Sequence, residues 1–344
     1  MPNPKHILVI RFSAMGDVAM TVPVLRALTE QHPDLKLTVV SKGFFKPCFK
    51  SLKNVDFFAA DLRGKHKGIL GLYKLSKALQ VYGFDAVADL HNVLRSKILK
   101  VFFFRKKIIQ IDKGRAEKKA LTSGKRFKQL KTTHQRYAEV FEQLGYSIDL
   151  SLPSFPEKAK LTSKLKSFIS NANNKTIGIA PFAAHKSKMY PLDKMEEIIA
   201  ELSHEYNIIL FGGDKREIEI LKKFESRHNN AQSVAGKLNL EEELDLISNL
   251  DVMLSMDSGN GHLAAMLGVK VITIWGVTHP YTGFAPFNQP EDYALVADRE
   301  EYPLTPTSVY GNKFPKGYEN ASGSIAIEEI VSKVKVVITS KAVI

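Results

Sequence analysis

The chain has 344 residues, 44% of them hydrophobic and 25% charged, which excludes a disordered or fibrous protein and gives two well-packed domains as the natural expectation. Its single cysteine, Cys48, excludes an internal disulfide, and no Cys/His cluster has zinc-site spacing, so a reducing cytoplasm is expected. The net charge of +13 is uneven: residues 1–155 carry +16 and the remainder −3, which points to an anionic partner for the first half, whether nucleic acid, an acidic membrane surface or a phosphorylated substrate.

The run "HILVIRF" predicts a first strand ending at Arg11, then a small-residue turn, then Asp17 at the start of a helix over 17–31. Arg11 and Asp17 interrupt the apolar run, so it is not read as a signal peptide. "LKLTVVS", "VDFFAAD", "FDAVADL" and "KIIQID" read as further strands, with helices expected near 44–53, 68–81, 92–103 and 133–144. "DLSLPSFPEKAKL", residues 149–161, has two prolines and no clean periodicity, and serves as the linker.

The second half repeats the alternation. "TIGIAPF", "YNIILFGG", "AQSVAG", "DVMLSMD" and "VKVITIWG" read as strands, with helices near 192–205, 214–227, 239–249 and 260–267. Strand–helix alternation of this kind predicts parallel sheets covered by helices on both faces, hence α/β with two doubly wound Rossmann-like domains. The boundaries are 1–155, 156–320, and a C-terminal helix in 321–344 that is expected to pack back on the first domain. Residues 271–290 are uncharged but carry prolines and glycines, so they read as strand plus loop and not as a membrane span; 281–320 reads as irregular loop.

"MDSGNGHLAAMLG" holds Gly259, Gly261 and Ala264 in the order G-x-G-x-x-A after a strand, the pattern of a dinucleotide-binding turn. That fingerprint also needs an acid at the end of the next strand to hold a ribose, and no Asp or Glu occurs between Ser258 and Gln289, which argues against NAD. What survives is a turn suited to a diphosphate, with Asp257, Ser258 and His262 around it. Ser258 as a simple helix cap and His262 as an ordinary helix residue is the competing explanation. "PFAAHKSKMYPL" adds Lys186 and Lys188 after another strand, and "LFGGDKRE" adds Gly212 in a tight turn and Asp214 at an N-cap position. In open α/β sheets such loops converge beyond the carboxyl ends of the strands, where ligands bind.

Taken in order, "RFSAMGDVAMTVPVLRAL", "HKSKMYPL", "LFGGD" and "MDSGNGHLAAMLGVKVITIWGVTHP" resemble the bacterial lipopolysaccharide heptosyltransferases, glycosyltransferase family 9. The resemblance implies GT-B architecture, an acceptor bound by the first domain and a nucleotide sugar by the second, and inverting, metal-independent transfer. The transfer it implies runs from ADP-heptose to the anionic inner core of lipopolysaccharide at the cytoplasmic membrane face, with the enzyme cytoplasmic or peripheral at the inner membrane. By motif position it makes Asp17 the general base, Lys188 the lysine on the donor phosphates, Asp257, Ser258, Gly259 and His262 the donor turn, and Asp214 a loose match to a ribose-contacting acid. Tyr190 stands where the family often has tryptophan, and Asn260-Gly261 where bulkier residues are common, which leaves the sugar open.

The residues fit that chemistry. In-line displacement at an anomeric carbon needs a carboxylate to take the acceptor hydroxyl's proton; an Asp17 that only stabilises a helix N-terminus is the alternative. The leaving diphosphate needs positive charge, and since the chain has no Asp-x-Asp pair to hold a cation, Lys188 and the turn near Ser258 are expected to serve without metal or other cofactor. "LRGKHKG" with Arg63, Lys65 and Lys67, and "LRSKILKVFFFRKK" with Arg95, Lys97, Lys100, Arg105, Lys106 and Lys107, are expected to meet an anionic glycolipid acceptor, and the run Phe102–Phe104 is read as core. Two alternatives stay open: a family member using another nucleotide sugar, such as a UDP-sugar, and a basic nucleic-acid-binding protein, against which no RNA- or DNA-binding motif is found. A nucleotide-sugar epimerase or phosphorylase is a third, and nucleic acid is not expected as a partner.

Overall fold

The computed structural model describes residues 3–169, 171 and 173–340. It divides into two compact units, one built from residues 1–113 and 132–155, the other from 114–131 and 156 onward.

The first stretch of chain forms β1 (His6–Ile10), α1 (Met15–Ala19), α2 (Thr21–Gln31), β2 (Lys36–Ser41), β3 (Val55–Ala59), α3 (Gly68–Gln80), β4 (Ala86–Asp89), α4 (Leu94–Val101) and β5 (Lys107–Gln110). Then follow α5 (Arg115–Thr122), which belongs to the second unit, and α6 (Thr133–Glu142), which belongs to the first. The five strands lie in the order β3-β2-β1-β4-β5, all parallel. Because β1 and β4 are covered on both faces, every residue in each is buried, as their near-continuous apolar sequences require. The expected helix at 17–31 is two helices, and the one expected at 44–53 is a 3-10 turn over Gly43–Phe49, where Pro47 has no N–H to give an α-helical ladder.

The second unit continues with α7 (Ser163–Lys166), β6 (Thr176–Ala180), α8 (Leu192–Ser203), β7 (Asn207–Leu210), α9 (Lys215–Arg227), β8 (Ala231–Ser233), α10 (Leu240–Ile247), β9 (Val252–Met256), α11 (Gly259–Ala265), β10 (Lys270–Trp275), β11 (Ala294–Val296) and α12 (Ile327–Thr339). Its parallel sheet runs β11-β10-β9-β6-β7-β8. Counted from β6, that is the doubly wound order with the switch point between its first and fourth strands. β11 lies in the region expected to be irregular; three residues are too few to carry a periodic signal.

Two expectations about the domains change. The C-terminal helix was expected to return to the first domain, but Ile330, Val331, Val334, Val337 and Ile338 of α12 belong to the core of the second unit, and residues 341–344 lie outside the described residues. Residues 114–131 also belong to the second unit. There Phe127 packs against His279 and Tyr281, with ring centroids 5.2 and 5.1 Å apart, and the Leu130 N–H donates to the Tyr281 carbonyl. That segment carries +6, so the first unit holds +10 and the second +3. The basic character is shared, though still weighted to the first unit. Among the described residues no helix is long and apolar enough to cross a membrane.

Candidate active site

In each unit the chain reverses its winding between two neighbouring strands, β1 and β4 in the first, β6 and β9 in the second. Loops leaving the carboxyl ends of such strands form the crevice of a doubly wound sheet. The motif residues sit on those loops.

In the first unit Asp17 is the third residue of α1. Its Oδ2 lies 2.5 Å from Arg11 Nη2 and accepts from the Ala14 N–H at 3.3 Å. The Arg11 side chain is 7% exposed and that of Asp17 28%, so the carboxylate keeps a face to solvent while its cation is buried behind it. Arg11 also donates from Nη1 to the Leu90 carbonyl at 2.7 Å, tying the loop after β1 to the loop after β4. Tyr137 on α6, fully buried, donates its hydroxyl to the Asp17 carbonyl at 3.3 Å, and burial raises its phenol above the ordinary range. Asp17 thus both stabilises a helix start and presents a fixed carboxylate.

The loop after β4 is built on Asp89, whose buried carboxylate accepts from the His91 and Asn92 N–H groups at 3.0 and 2.8 Å and from Ser96 Oγ at 2.9 Å. Lys100 Nζ neutralises it at 2.7 Å. Lys100, counted among the acceptor cations from sequence, is therefore committed to the fold. His91 accepts the Phe12 N–H on Nδ1 at 3.4 Å. Burial, reinforced by Arg11 and Lys113, holds its pKa down to about 4, so the imidazole is neutral at physiological pH.

In the second unit Lys188 Nζ lies 2.8 Å from Asp257 Oδ2, with side chains only 13% and 8% exposed. Thr278 Oγ1 donates to the same oxygen at 2.8 Å. Lys188 closes a 3-10 turn after β6 and Asp257 follows β9, so the ion pair sits at the switch point. Ser258 is extended at the start of α11, and its hydroxyl makes no capping bond. His262 is buried on the same helix. Gly276 and Gly311 frame Lys188: a Cβ on Gly276 would meet the Ser187 carbonyl at 2.6 Å, and one on Gly311, whose φ is +81°, would meet the Lys188 stem at 2.5 Å.

The remaining predicted residues are more ordinary in their surroundings. Lys186 is exposed. Asp214 caps α9, its Oδ1 accepting the Glu217 N–H at 2.9 Å while Glu217 accepts the Gly213 N–H at 2.6 Å. A Cβ on Gly212 would lie 2.9 Å from Leu221, so this glycine permits close packing. Arg63, Lys65, Lys67 and Arg95 are all exposed, the first two on a loop whose backbone N–H groups bond the Asp61 carboxylate. Of the phenylalanine run, Phe103 is core, Phe102 packs partly against it, and Phe104 is 78% exposed, so the core reading holds for two of three. Arg11, Asp89, His91, Tyr137, Thr278 and Gly311 were not singled out from sequence as site residues. Each acts through a contact across strands or loops that local pattern does not encode.

A family model for glycosyltransferase family 9 (heptosyltransferase) matches residues 72–308. The lipopolysaccharide core heptosyltransferase OpsX of Haemophilus influenzae is 26% identical over 96% of this chain and 96% of its own length. The solved structure of the family 9 glycosyl transferase from Veillonella parvula superposes with a TM-score of 0.75, at 18% identity and 97% coverage of both chains. That of the E. coli ADP-heptose lps heptosyltransferase II superposes with a TM-score of 0.67, at 18% identity, over 97% of this chain and 98% of that one. The two Rossmann-like units are those of the GT-B type, and the chain belongs to glycosyltransferase family 9, the heptosyltransferase family, and is a glycosyltransferase.

Proposed function

We propose that this enzyme moves a heptose from ADP-heptose to the inner core of lipopolysaccharide, or a similar anionic glycolipid, by inverting, metal-independent displacement. The observation that carries the donor half is the Lys188–Asp257 pair at the switch point of the second sheet. A nucleoside diphosphate arriving there meets a nearly buried ammonium held by Asp257, whose carboxylate Thr278 also bonds, together with the first N–H groups of α11, which have no intrahelical partners. In this reading Ser258, Gly259 and His262 form the turn around it, Lys186 adds an exposed cation, and Gly212 and Asp214 complete the donor site from the loop after β7. Two relatives support the sugar by name, one a lipopolysaccharide core heptosyltransferase and one an ADP-heptose heptosyltransferase.

On the acceptor side Asp17 acts as general base. A carboxylate gripped from behind by Arg11 and Ala14 and open to solvent in front is suited to take a hydroxyl proton as the new bond forms. The exposed Arg63, Lys65, Lys67 and Arg95 are the cations proposed to meet acceptor phosphates or acidic sugars. The enzyme works in the cytoplasm, peripheral at the inner-membrane face where such an acceptor is assembled.

The test is transfer by the purified protein, measured as released nucleoside diphosphate and as glycosylated acceptor, with ADP-heptose and a set of UDP-sugars, each with and without EDTA. Acceptor-dependent release of ADP that survives EDTA supports the reading. Turnover with a UDP-sugar alone would replace the donor. Release of nucleotide and free sugar without acceptor would point to epimerase-like chemistry, and tight salt-dependent polynucleotide binding without turnover to the nucleic-acid reading.

A further inference from the structure

Residues 62–84 and 90–111 contain no Asp or Glu, yet hold eleven Lys and Arg between them. Those stretches carry α3 and α4, which pack together: Tyr73 meets Phe102 edge to face at 5.4 Å, and Gln80 Nε2 donates to the Phe102 carbonyl at 3.3 Å. The buried sides of both helices use Leu72, Leu75, Leu79 and Leu99. Their outer sides are apolar as well. On α3 and its end, Ile69, Leu70, Tyr73 and Val81 are 65, 79, 45 and 85% exposed, and on α4 and the turn after it Leu94, Val101 and Phe104 are 75, 68 and 78% exposed.

A soluble surface scatters single apolar residues, and a basic surface turned only to water does not need large ones. Here the spacing is ordered. Residues 69, 70, 73 and 81 share one helix face with Lys74 and Lys77, and Leu94 and Val101 stand two turns apart on one face of α4. Lys77 Nζ lies 5.4 Å above the Tyr73 ring, so cation and apolar groups are interleaved rather than segregated. Large apolar side chains standing out among cations, with no acid in the sequence of either helix, complement one kind of partner: a bilayer whose headgroups are anionic and whose interfacial zone accepts apolar side chains.

We infer that the α3–α4 face of the first unit docks this enzyme on an anionic bilayer, with Leu70, Val81, Leu94, Val101 and Phe104 entering the interfacial zone and Lys74, Lys77 and Arg105 meeting lipid phosphates. The chemistry of the face stands by itself; only its purpose, reaching a lipid-borne acceptor, rests on the function proposed above. A polynucleotide would use the cations but leave the projecting apolar groups unburied.

The test is co-sedimentation of the full chain with vesicles of phosphatidylcholine alone and of phosphatidylcholine with phosphatidylglycerol, in low and moderate salt. Wild type is expected to bind the anionic vesicles strongly and the neutral ones weakly. The double variant L70Q/F104Q, altered only at exposed positions, is expected to lose about tenfold or more in vesicle affinity, and K74Q/K77Q to lose most of the anionic preference. Both should keep wild-type thermal stability and wild-type turnover on a delipidated, water-soluble acceptor. Equal binding by wild type and L70Q/F104Q, no preference for anionic vesicles, or tighter binding to a polynucleotide than to vesicles would overturn the inference. Because sedimentation needs no turnover, failure of the docking face and failure of the proposed reaction are separate results.

Discussion

Lys188 and Asp257 form an ion pair 2.8 Å long in which neither side chain is more than 13% exposed. Two charges so placed support one another only while both are present; removing one leaves the other desolvated and uncompensated, at a cost of about 3–5 kcal/mol. Lys188→Met is therefore expected to lower the unfolding free energy by roughly that amount, and Lys188→Met with Asp257→Leu to recover most of it. Stabilisation by ADP, read as a shift in unfolding temperature, should vanish in both. Loss of stability that the double variant does not recover would show that the pair's partners do not depend on each other as the geometry requires.

Asp17 and Arg11 make the corresponding test in the first unit. Asp17→Asn keeps the shape and removes the base, so kcat should fall by about 10²–10⁴ with donor affinity unchanged. Arg11→Met should also lower kcat without touching donor affinity, because Arg11 holds both Asp17 and the Leu90 carbonyl. Both variants should cost stability, Asp17→Asn because it leaves the buried guanidinium without its charge partner and Arg11→Met because it also removes the bond to the Leu90 carbonyl. Isothermal titration with ADP beside initial rates separates the two effects.

The part of this arrangement legible in the sequence is the part that local pattern encodes. Alternating apolar runs and amphipathic segments gave the strands and most helices of both sheets, and the strand-then-turn setting of Asp17, Lys188 and Asp257 placed them at carboxyl ends. What was not legible depends on pairing at a distance. Arg11 read as the end of a strand, Thr278 and Gly311 as loop residues, and Lys100 as a free cation, since nothing local reveals that Asp89 lies 2.7 Å from its ammonium. The unit to which segment 114–131 belongs is hidden in the sequence for the same reason. Its basic sequence matched the half in which it lies, while Phe127, the ring that packs on His279 and Tyr281, decides its unit.

Two buried histidines, His91 and His279, weaken the fold on the acid side. Burial first, then neighbouring cations, holds His91 and His279 down to about 4 from the ordinary 6.5. The unfolded chain therefore binds more protons between those values, and stability falls as pH drops from about 6.5 to 4. Each contributes on the order of 3 kcal/mol across that window. His91→Gln should flatten the fall in unfolding temperature between pH 7 and pH 5 by a measurable part, and an unchanged slope would assign the acid sensitivity elsewhere.

Glu243 works in the opposite sense. Burial without a compensating charge pushes its carboxyl up to about 7 from 4.5, so the folded state holds the extra proton and stability falls as pH rises from about 4.5 to 7. Glu243→Gln, which keeps the shape of the protonated acid, should raise stability at pH 8 by up to about 3 kcal/mol and leave it nearly unchanged at pH 4.5. Thermal scans at the two pH values read the difference directly.

Gly276 follows β10 and bears on the donor site through the backbone alone. A Cβ there would stand 2.6 Å from the Ser187 carbonyl oxygen, and that residue directly precedes Lys188. A backbone atom cannot rotate away as a side-chain tip can, so Gly276→Ala must push the 186–188 turn outward and draw Lys188 from Asp257. The expected result is a loss of about 1–3 kcal/mol in stability from overpacking, and at least a tenfold loss in ADP affinity, with Asp17 chemistry on the other unit untouched. Gly317→Ala is the matched control. Its φ is +90° with nothing within 4 Å of the added carbon, so it should show backbone strain of about 1 kcal/mol and normal ADP binding. If both glycine variants bind ADP like the wild type, the position of the 186–188 turn does not govern the donor site, and Lys188 reaches its ligand by a route that Gly276 does not constrain.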